Sequence, residues 1–297
     1  MTAYLQALRL ERWPRSAAIF LGTAAFFFLH PDFASSFAVP EIIFRAVLSF
    51  LLTWAISTAN YIINEIVDAP TDIHHPVKRD RPLVQGRIKK RAFIFLGLGL
   101  TAAALFPAAV FFSRSFLLSL LALLGAGFFY NVKPVRTKDI PFLDSISESA
   151  NNPIRFLIGW YAFAPAHLFP PLSLLVAWWS FGNFLMTAKR LSEFRLLGDK
   201  AADYRLSHKR YSRNLLLFGM VVSAVVFLSS SLLFLASLRL YRFLIVLPIM
   251  LLYILLFFRK TLKEKEVMEE PESLLRNPLV ALLTVVLVVV FALSFLL

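Results

Sequence analysis

Nine stretches of the chain are long and apolar enough to cross a lipid bilayer, and nothing else in the sequence constrains its fold as much. They run approximately over residues 16–31, 42–66, 92–112, 115–131, 144–165, 169–188, 214–236, 240–258 and 277–297. A helix covers roughly 30 Å of hydrocarbon with about 20 largely apolar residues, whereas a barrel strand uses about 9–11 residues of alternating character. The runs here are continuous, which predicts an all-α integral membrane protein: nine transmembrane helices forming one domain over residues 1–297. Composition agrees, because 59% of the residues are hydrophobic and 16% charged, against about 45–50% and 25% in a soluble domain. Mean hydropathy is +0.71. A soluble Rossmann or TIM-barrel enzyme is thereby excluded. The absence of cysteine removes disulfides, thiolate zinc sites, iron–sulfur clusters and cysteine nucleophiles. Arg9, Arg12 and Arg15 precede the first stretch, but no small-residue cleavage site follows it, so no cleavable signal peptide is expected.

Lys and Arg exceed Asp and Glu by 31 to 18, a formal charge of +13. In a soluble chain this would suggest nucleic acid, but in a membrane protein it first reports topology. Of the 31 cations, 26 lie in the N-terminal arm and in the loops 67–91, 132–142, 189–213 and 259–276. The positive-inside rule then places the N-terminus and these loops in the cytoplasm and the C-terminus outside. The expected location is the cell membrane, with no nucleic-acid partner. The two longest loops follow spans two and six, which suggests a parallel four-helix repeat over about 16–131 and 144–258 with a ninth helix appended. Oligomeric state, a homo-oligomer included, stays open.

Span two ends in Asn60-Tyr-Ile-Ile-Asn64-Glu65-Ile-Val-Asp68-Ala-Pro-Thr-Asp72. Glu65, Asp68 and Asp72 are spaced i, i+3, i+7, so on a continuing helix they share one face with the Asn64 amide beside them. Carboxylates this close repel, and hard oxygen ligands of this kind suit Mg²⁺, which takes one or two carboxylates together with waters and substrate phosphates. The alternative is a solvated loop whose acids pair with Lys78, Arg79 and Arg81, and Pro70 counts against a regular helix. The run His74-His75-Pro-Val-Lys78-Arg79-Asp-Arg81-Pro82-Leu83, then Gly86, follows at once. Cations beside an acidic metal site are what a diphosphate needs, because guanidinium forks and ammonium point charges neutralise the oxygens the metal leaves. His75 could donate to a phosphate, or be a loop histidine without a role.

Asn64-Glu65-x-x-Asp68-x-x-x-Asp72, with Arg81-Pro82-Leu83 and Gly86, resembles the first signature of the UbiA superfamily of intramembrane polyprenyl transferases. Glu65 stands where that family usually has Asp. The resemblance implies a UbiA-type helical bundle with a central cavity opening to the cytoplasmic side, and Glu65, Asp68 and Asp72 as the catalytic metal ligands for Mg²⁺. The finer pattern His75-Pro-x-Lys78-Arg79-x-Arg81-Pro82, together with Leu8-Arg9-x-x-x-Trp13, is most similar to the polyprenyl-phosphate (decaprenyl-phosphate) phosphoribosyltransferase branch.

The loop after span six carries a second acidic motif in most of that family, but here it reads Lys189-Arg190-Leu-Ser-Glu193-Phe-Arg195. Residues 189–213 hold eight cations against Glu193, Asp199 and Asp203. A start of Lys-Arg-x-x-Glu with Tyr211 further on is again similar to the phosphoribosyltransferase branch. Lys189 and Arg190 would hold phosphates directly and Glu193 would orient them or contact ribose hydroxyls, unless the loop is basic only for topology. Between spans four and five lie Tyr130, Lys133, Asp144, Glu148 and Arg155. Asp144 and Glu148 are i, i+4, and Arg155 falls seven residues later on the same face. An intramembrane Arg needs a partner, so Arg155 either binds a lipid phosphate or makes a salt bridge to Glu148 or Asp144. Pro134-x-Arg136 and Leu143-Asp144-Ser145 resemble instead a carotenoid-prenylating branch.

The expected function is Mg²⁺-dependent transfer of 5-phosphoribose from phosphoribosyl diphosphate to a polyprenyl phosphate such as decaprenyl phosphate. The alternative is prenyl transfer from a prenyl diphosphate to an aromatic or isoprenoid acceptor, which calls for a second acidic clamp. A cation-coupled transporter fits less well, since the ionisable residues gather at one membrane face instead of at the midplane.

Overall fold

A computed structural model describes residues 2–73, 78–197, 206–263 and 278–293; His75 lies outside them. Among the described residues every regular element is helical. In chain order these are α1 (Thr2–Ala7), α2 (Trp13–Ala17), α3 (Ile19–Leu29), α4 (Val39–Asp72), α5 (Lys90–Phe111), α6 (Arg114–Asn131), α7 (Leu143–Ser149), α8 (Asn151–Tyr161), α9 (Leu172–Leu197), α10 (Arg213–Ser237), α11 (Val246–Lys263) and α12 (Pro278–Leu293). Short 3-10 turns join several of them.

Five of the described helical segments meet both the length and the composition needed to cross a membrane: Val39–Asp72, Lys90–Phe111, Arg114–Asn131, Arg213–Ser237 and Tyr241–Lys263. Their outward faces carry large apolar side chains such as Phe95, Phe106 and Phe218, as expected where lipid replaces water. Of the other predicted spans, 16–31 and 144–165 fall on shorter or interrupted helix, whereas 169–188 lies on α9, a continuous helix of 26 residues that has the length to cross but not the composition. Span 144–165 is two helices, α7 and α8, with Ala150 between them. The 11 residues of α3 cover only about 16 Å at 1.5 Å per residue.

The chain divides into two compact units, Met1–Thr137 with Asn151–Pro170, and Lys138–Ala150 with Pro171–Leu297. In the first, α4 packs on α5, α6 and α8, and α3 packs on α8. Two glycines bring α3 and α8 to backbone contact, since a Cβ at Gly159 would sit 1.7 Å from the Ile19 carbonyl oxygen and one at Gly22 would sit 2.0 Å from that of Phe156. The Thr23 hydroxyl donates to the Gly159 carbonyl at 2.9 Å across the same seam. In the second unit α9 lies along α10, with α7 against α9 and α11 against both α9 and α10. Phe184, Leu191, Leu216, Met220, Ile254 and Phe257 form its core. Many of the 31 phenylalanines thus divide between core and outward faces.

Candidate active site

The acidic motif sits on the last two turns of α4. The helix continues through Pro70 to Asp72, which is what placing Glu65, Asp68 and Asp72 on one face required. Pro70 removes one backbone donor, and beside it the Thr71 hydroxyl donates to the Asp68 carbonyl at 2.9 Å. Glu65 and Asp72 are buried, while Asp68 and the preceding Asn64 are half-buried.

Each carboxylate meets a cation from another part of the first unit. Arg9, from the N-terminal arm, donates through Nη2 to Glu65 Oε1. Arg81 places Nε 3.4 Å from the same oxygen and donates through Nη1 to Asp72 Oδ2, so one guanidinium bridges acids two turns apart. Lys78 Nζ lies 3.9 Å from Asp72 Oδ1. Arg136 Nη2 donates to Asp68 Oδ1 at 3.3 Å. The turn that returns Arg81 to α4 closes at Gly86, whose φ of +68° is the left-handed region that glycine occupies without steric cost. Arg79 is exposed and contributes its carbonyl to Gln85 Nε2 at 2.9 Å. Both readings of this segment hold in part: the motif is helical, and its acids pair with Lys78 and Arg81.

Whether these residues suit a divalent cation follows from the same geometry. No group of three His, Cys, Asp or Glu is gathered to hold one among the described residues. Yet Glu65 Oε2 is buried without any hydrogen-bond partner. A buried anionic oxygen left unsatisfied is costly, and together with Asp68 and Asp72 it provides the hard donors that Mg²⁺ prefers. Arg81 lies between two of these acids as a stand-in cation. The donor set therefore fits a divalent ion that would displace guanidinium from the carboxylates.

Elsewhere in the first unit, Tyr130 is half-buried at the end of α6, Lys133 is exposed just beyond it, and Arg155 is half-buried on α8.

The second unit holds a different constellation around Arg190, which α9 places wholly out of solvent. Its Nε donates to Asp144 Oδ2 at 2.9 Å, its Nη2 to Glu148 Oε2 at 2.6 Å, and its Nη1 to Glu193 at 3.1 and 3.2 Å. Asp144 also accepts from Ser207 Oγ at 3.0 Å, from Tyr211 and from the Ser145 backbone at 2.8 Å. His208 Nε2 lies 3.0 Å from Glu193 Oε2. The Tyr211 oxygen accepts from the Phe142 backbone N–H at 2.6 Å. Burial, with the Asp144 carboxylate beside it, pushes the Tyr211 phenol well above its ordinary pKa. Asp144 and Glu193 are buried and Glu148 is partly exposed, while Lys189 is half-buried. One guanidinium thus serves three carboxylates. Asp144 and Glu148, the pair that a second acidic clamp needs, are both engaged by Arg190.

Most of these groups stand out in the sequence, but not all of their partners do. Arg9 and Arg136 lie 56 and 68 residues from the acids they meet, a separation that no local spacing reports. Ser207, His208 and Tyr211 are likewise brought to α7 and α9 only by folding.

Residues 18–279 match the sequence profile of the UbiA prenyltransferase family. No curated protein matches the chain by sequence. Among solved structures, the fold is similar to that of a UbiA homologue from Archaeoglobus fulgidus bound to GPP and Mg²⁺, with a TM-score of 0.71 at 18% identity over 99% of this chain and 98% of that one. The same homologue bound to DMAPP and Mg²⁺ gives a TM-score of 0.68 at 18% identity, covering 98% of each chain. A digeranylgeranylglyceryl phosphate synthase gives 0.63 at 15% identity over 99% of this chain and 95% of its own.

Proposed function

The chain belongs to the UbiA prenyltransferase family, and on that premise we propose that it is a Mg²⁺-dependent membrane transferase moving 5-phosphoribose from phosphoribosyl diphosphate to a polyprenyl phosphate. Nine spans and a cytoplasmic active face are part of the reading. The observation that carries it is the state of the second cluster. Arg190, wholly buried, binds Asp144, Glu148 and Glu193 together, whereas on α4 Glu65 Oε2 is left without a partner, so among the described residues α4 is the better candidate to hold a metal.

In this reading Glu65, Asp68 and Asp72 hold the metal, with Asn64 assisting, and Lys78, Arg79 and Arg81 complete the charge balance around the donor's diphosphate. A divalent cation held there would supply neutralising charge to a departing pyrophosphate. The ribose C1–oxygen bond breaks with its electron pair leaving on pyrophosphate, and a phosphate oxygen of the lipid forms the new bond at C1 from the opposite face. Arg81 and Lys78 stabilise the charge that develops on the leaving group. A phosphate monoester is already anionic at neutral pH, so no general base is needed. In the second unit Lys189 is a further candidate for a phosphate contact, with Arg190 and Glu193 fixing its helix. Tyr130, Lys133, Arg155 and His75 are further candidates for substrate contact.

The second reading, prenyl transfer from a prenyl diphosphate to an aromatic or isoprenoid acceptor, is favoured by the family itself and by the A. fulgidus homologue that binds GPP and DMAPP with Mg²⁺. Pyrophosphate release separates the two. Purified chain in detergent with Mg²⁺ should release pyrophosphate from phosphoribosyl diphosphate plus decaprenyl phosphate. Release only from prenyl diphosphate plus acceptor refutes the first reading in favour of the second.

A further inference from the structure

The N-terminal arm takes part in the α4 site. Ala7 is buried with Ile62, Ile88 and Phe93, and Tyr4 and Leu8 pack around them. The Tyr4 hydroxyl accepts from the Lys89 backbone N–H at 3.2 Å, fixing the arm where α5 begins. The chain then turns sharply at Arg9, whose φ of 52° and ψ of 45° are left-handed values that a side-chain-bearing residue adopts only at a cost. That turn delivers the guanidinium to Glu65. A cavity of about 250 Å³ opens beside the pair, lined by Gln6, Arg9, Glu11, Glu65, Arg81 and Asp80 among others. It is smaller than the roughly 300–1,000 Å³ of pockets that enclose a whole drug-sized ligand, and so suits an ionic headgroup.

Charge counting shows what the cavity can take. Glu65, Asp68 and Asp72 face Arg9, Lys78, Arg81 and Arg136, and with Glu11 and Asp80 on the cavity wall five acids stand against four cations. A divalent cation on the carboxylates turns that deficit of one into an excess of one and leaves the guanidinium forks without their acids, free for the oxygens of a diphosphate. Glu65 and Asp72 each meet two cations, but both of those at Glu65 crowd onto Oε1, and Oε2 has no hydrogen-bond partner.

We infer that Arg9 is a substrate-binding residue of the site: it neutralises Glu65 in the metal-free chain and binds a phosphate oxygen of the donor's diphosphate once a divalent cation holds the carboxylates. This rests on the proposed reaction only in requiring a diphosphate donor, and it is the same for a phosphoribosyl or a prenyl one. In consequence, Arg9 competes with the metal for Glu65 but assists the diphosphate.

The test is calorimetric titration of the full chain in detergent, first with Mn²⁺ alone and then with methylene diphosphonate at saturating Mg²⁺. Arg9→Gln should weaken diphosphonate binding about ten-fold or more while Mn²⁺ binds at least as tightly as to the wild type. Arg9→Lys should recover part of the diphosphonate affinity, and it reads the same split with a smaller shift if the Gln variant does not survive purification. Unchanged diphosphonate affinity overturns the inference. So does a parallel loss of Mn²⁺ and diphosphonate affinity, which is what an arm that only shapes the metal site would give. A wild-type chain that fails to bind diphosphonate with Mg²⁺ refutes instead the diphosphate-donor reading.

Discussion

Replacing Arg190 with Leu removes the one cation that three carboxylates share. Asp144, Glu193 and the guanidinium are buried, and only Glu148 reaches solvent appreciably. Breaking a single buried ion pair by deleting one partner costs about 3–5 kcal/mol, because the other charge stays buried and uncompensated. Here two buried carboxylates lose the same partner, which doubles the exposure to that penalty. Hydrogen bonds moderate it: Ser207, Tyr211 and the Ser145 backbone still donate to Asp144, and His208 still meets Glu193. The balance places Arg190→Leu at about 5 kcal/mol or more, comparable with the whole stability of many domains at about 5–15 kcal/mol. The variant should therefore fold poorly in detergent, read as loss of a monodisperse peak and a lowered midpoint in SDS-induced unfolding. Adding Asp144→Asn and Glu193→Gln to it should recover much of the loss, since an apolar replacement of a neutralised ion cluster is often close to neutral. Such recovery exceeds additivity, as coupled neighbours should. An Arg190→Leu protein that unfolds within about 1 kcal/mol of the wild type would refute the reading of Arg190 as the keystone of a buried network.

Asp68→Asn should lower turnover about 100-fold or more by removing a metal ligand. Its partly exposed contact with Arg136 at 3.3 Å is worth about 1 kcal/mol or less, and Asn keeps the size and hydrogen-bonding oxygen of Asp, so unfolding midpoints should hardly move; near-normal turnover in this variant contradicts the assignment. Tyr211→Phe leaves the Phe142 N–H without its acceptor and takes one of several donors from Asp144, which should destabilise the chain by about 1–3 kcal/mol in SDS-induced unfolding. The fold raises the Tyr211 pKa, so that contribution is fully present below the unfolded value near 10 and is lost only as pH climbs through the higher folded one. The gap between wild type and Tyr211→Phe should accordingly stay constant from about pH 6 to 9. Gly159→Ala drives a methyl group to 1.7 Å from the Ile19 carbonyl oxygen and must part α3 from α8, costing about 1–3 kcal/mol or more as a drop in thermal midpoint.

Hydropathy alone identified the helical, membrane-suited character of the chain, and spacing alone placed Glu65, Asp68 and Asp72 on one face of a helix that does continue to Asp72. Those are local properties, set by period and by side-chain polarity. The break at Ala150 was not visible, since Leu143–Tyr161 contains no internal glycine before Gly159 and its one proline, Pro153, falls in the first turn of α8, where proline is tolerated. The partners of the acids were not visible either. Arg9 is legible as a topology-setting cation of the N-terminal arm and as part of Leu8-Arg9-x-x-x-Trp13, and its approach to Glu65 depends on the arm docking through Ala7 and Tyr4. Arg190 and Glu193 looked like loop groups open to phosphate, whereas α9 runs on to Leu197 and carries both into the interior. Whether a charged side chain faces solvent or a buried counter-ion is decided by which helices pack together, and no spacing within one segment reports that.

The proposed reaction joins a sugar phosphate to a lipid phosphate at the α4 carboxylates. Its most direct measurement uses phosphoribosyl diphosphate labelled in the ribose, decaprenyl phosphate and Mg²⁺, with the purified chain in detergent, and follows label into the organic-extractable lipid. Lipid-bound label matched one-to-one by pyrophosphate, and abolished by EDTA and by Asp68→Asn, is the expected result. Label that stays in the aqueous phase while the same preparation transfers a prenyl group from a prenyl diphosphate would contradict it.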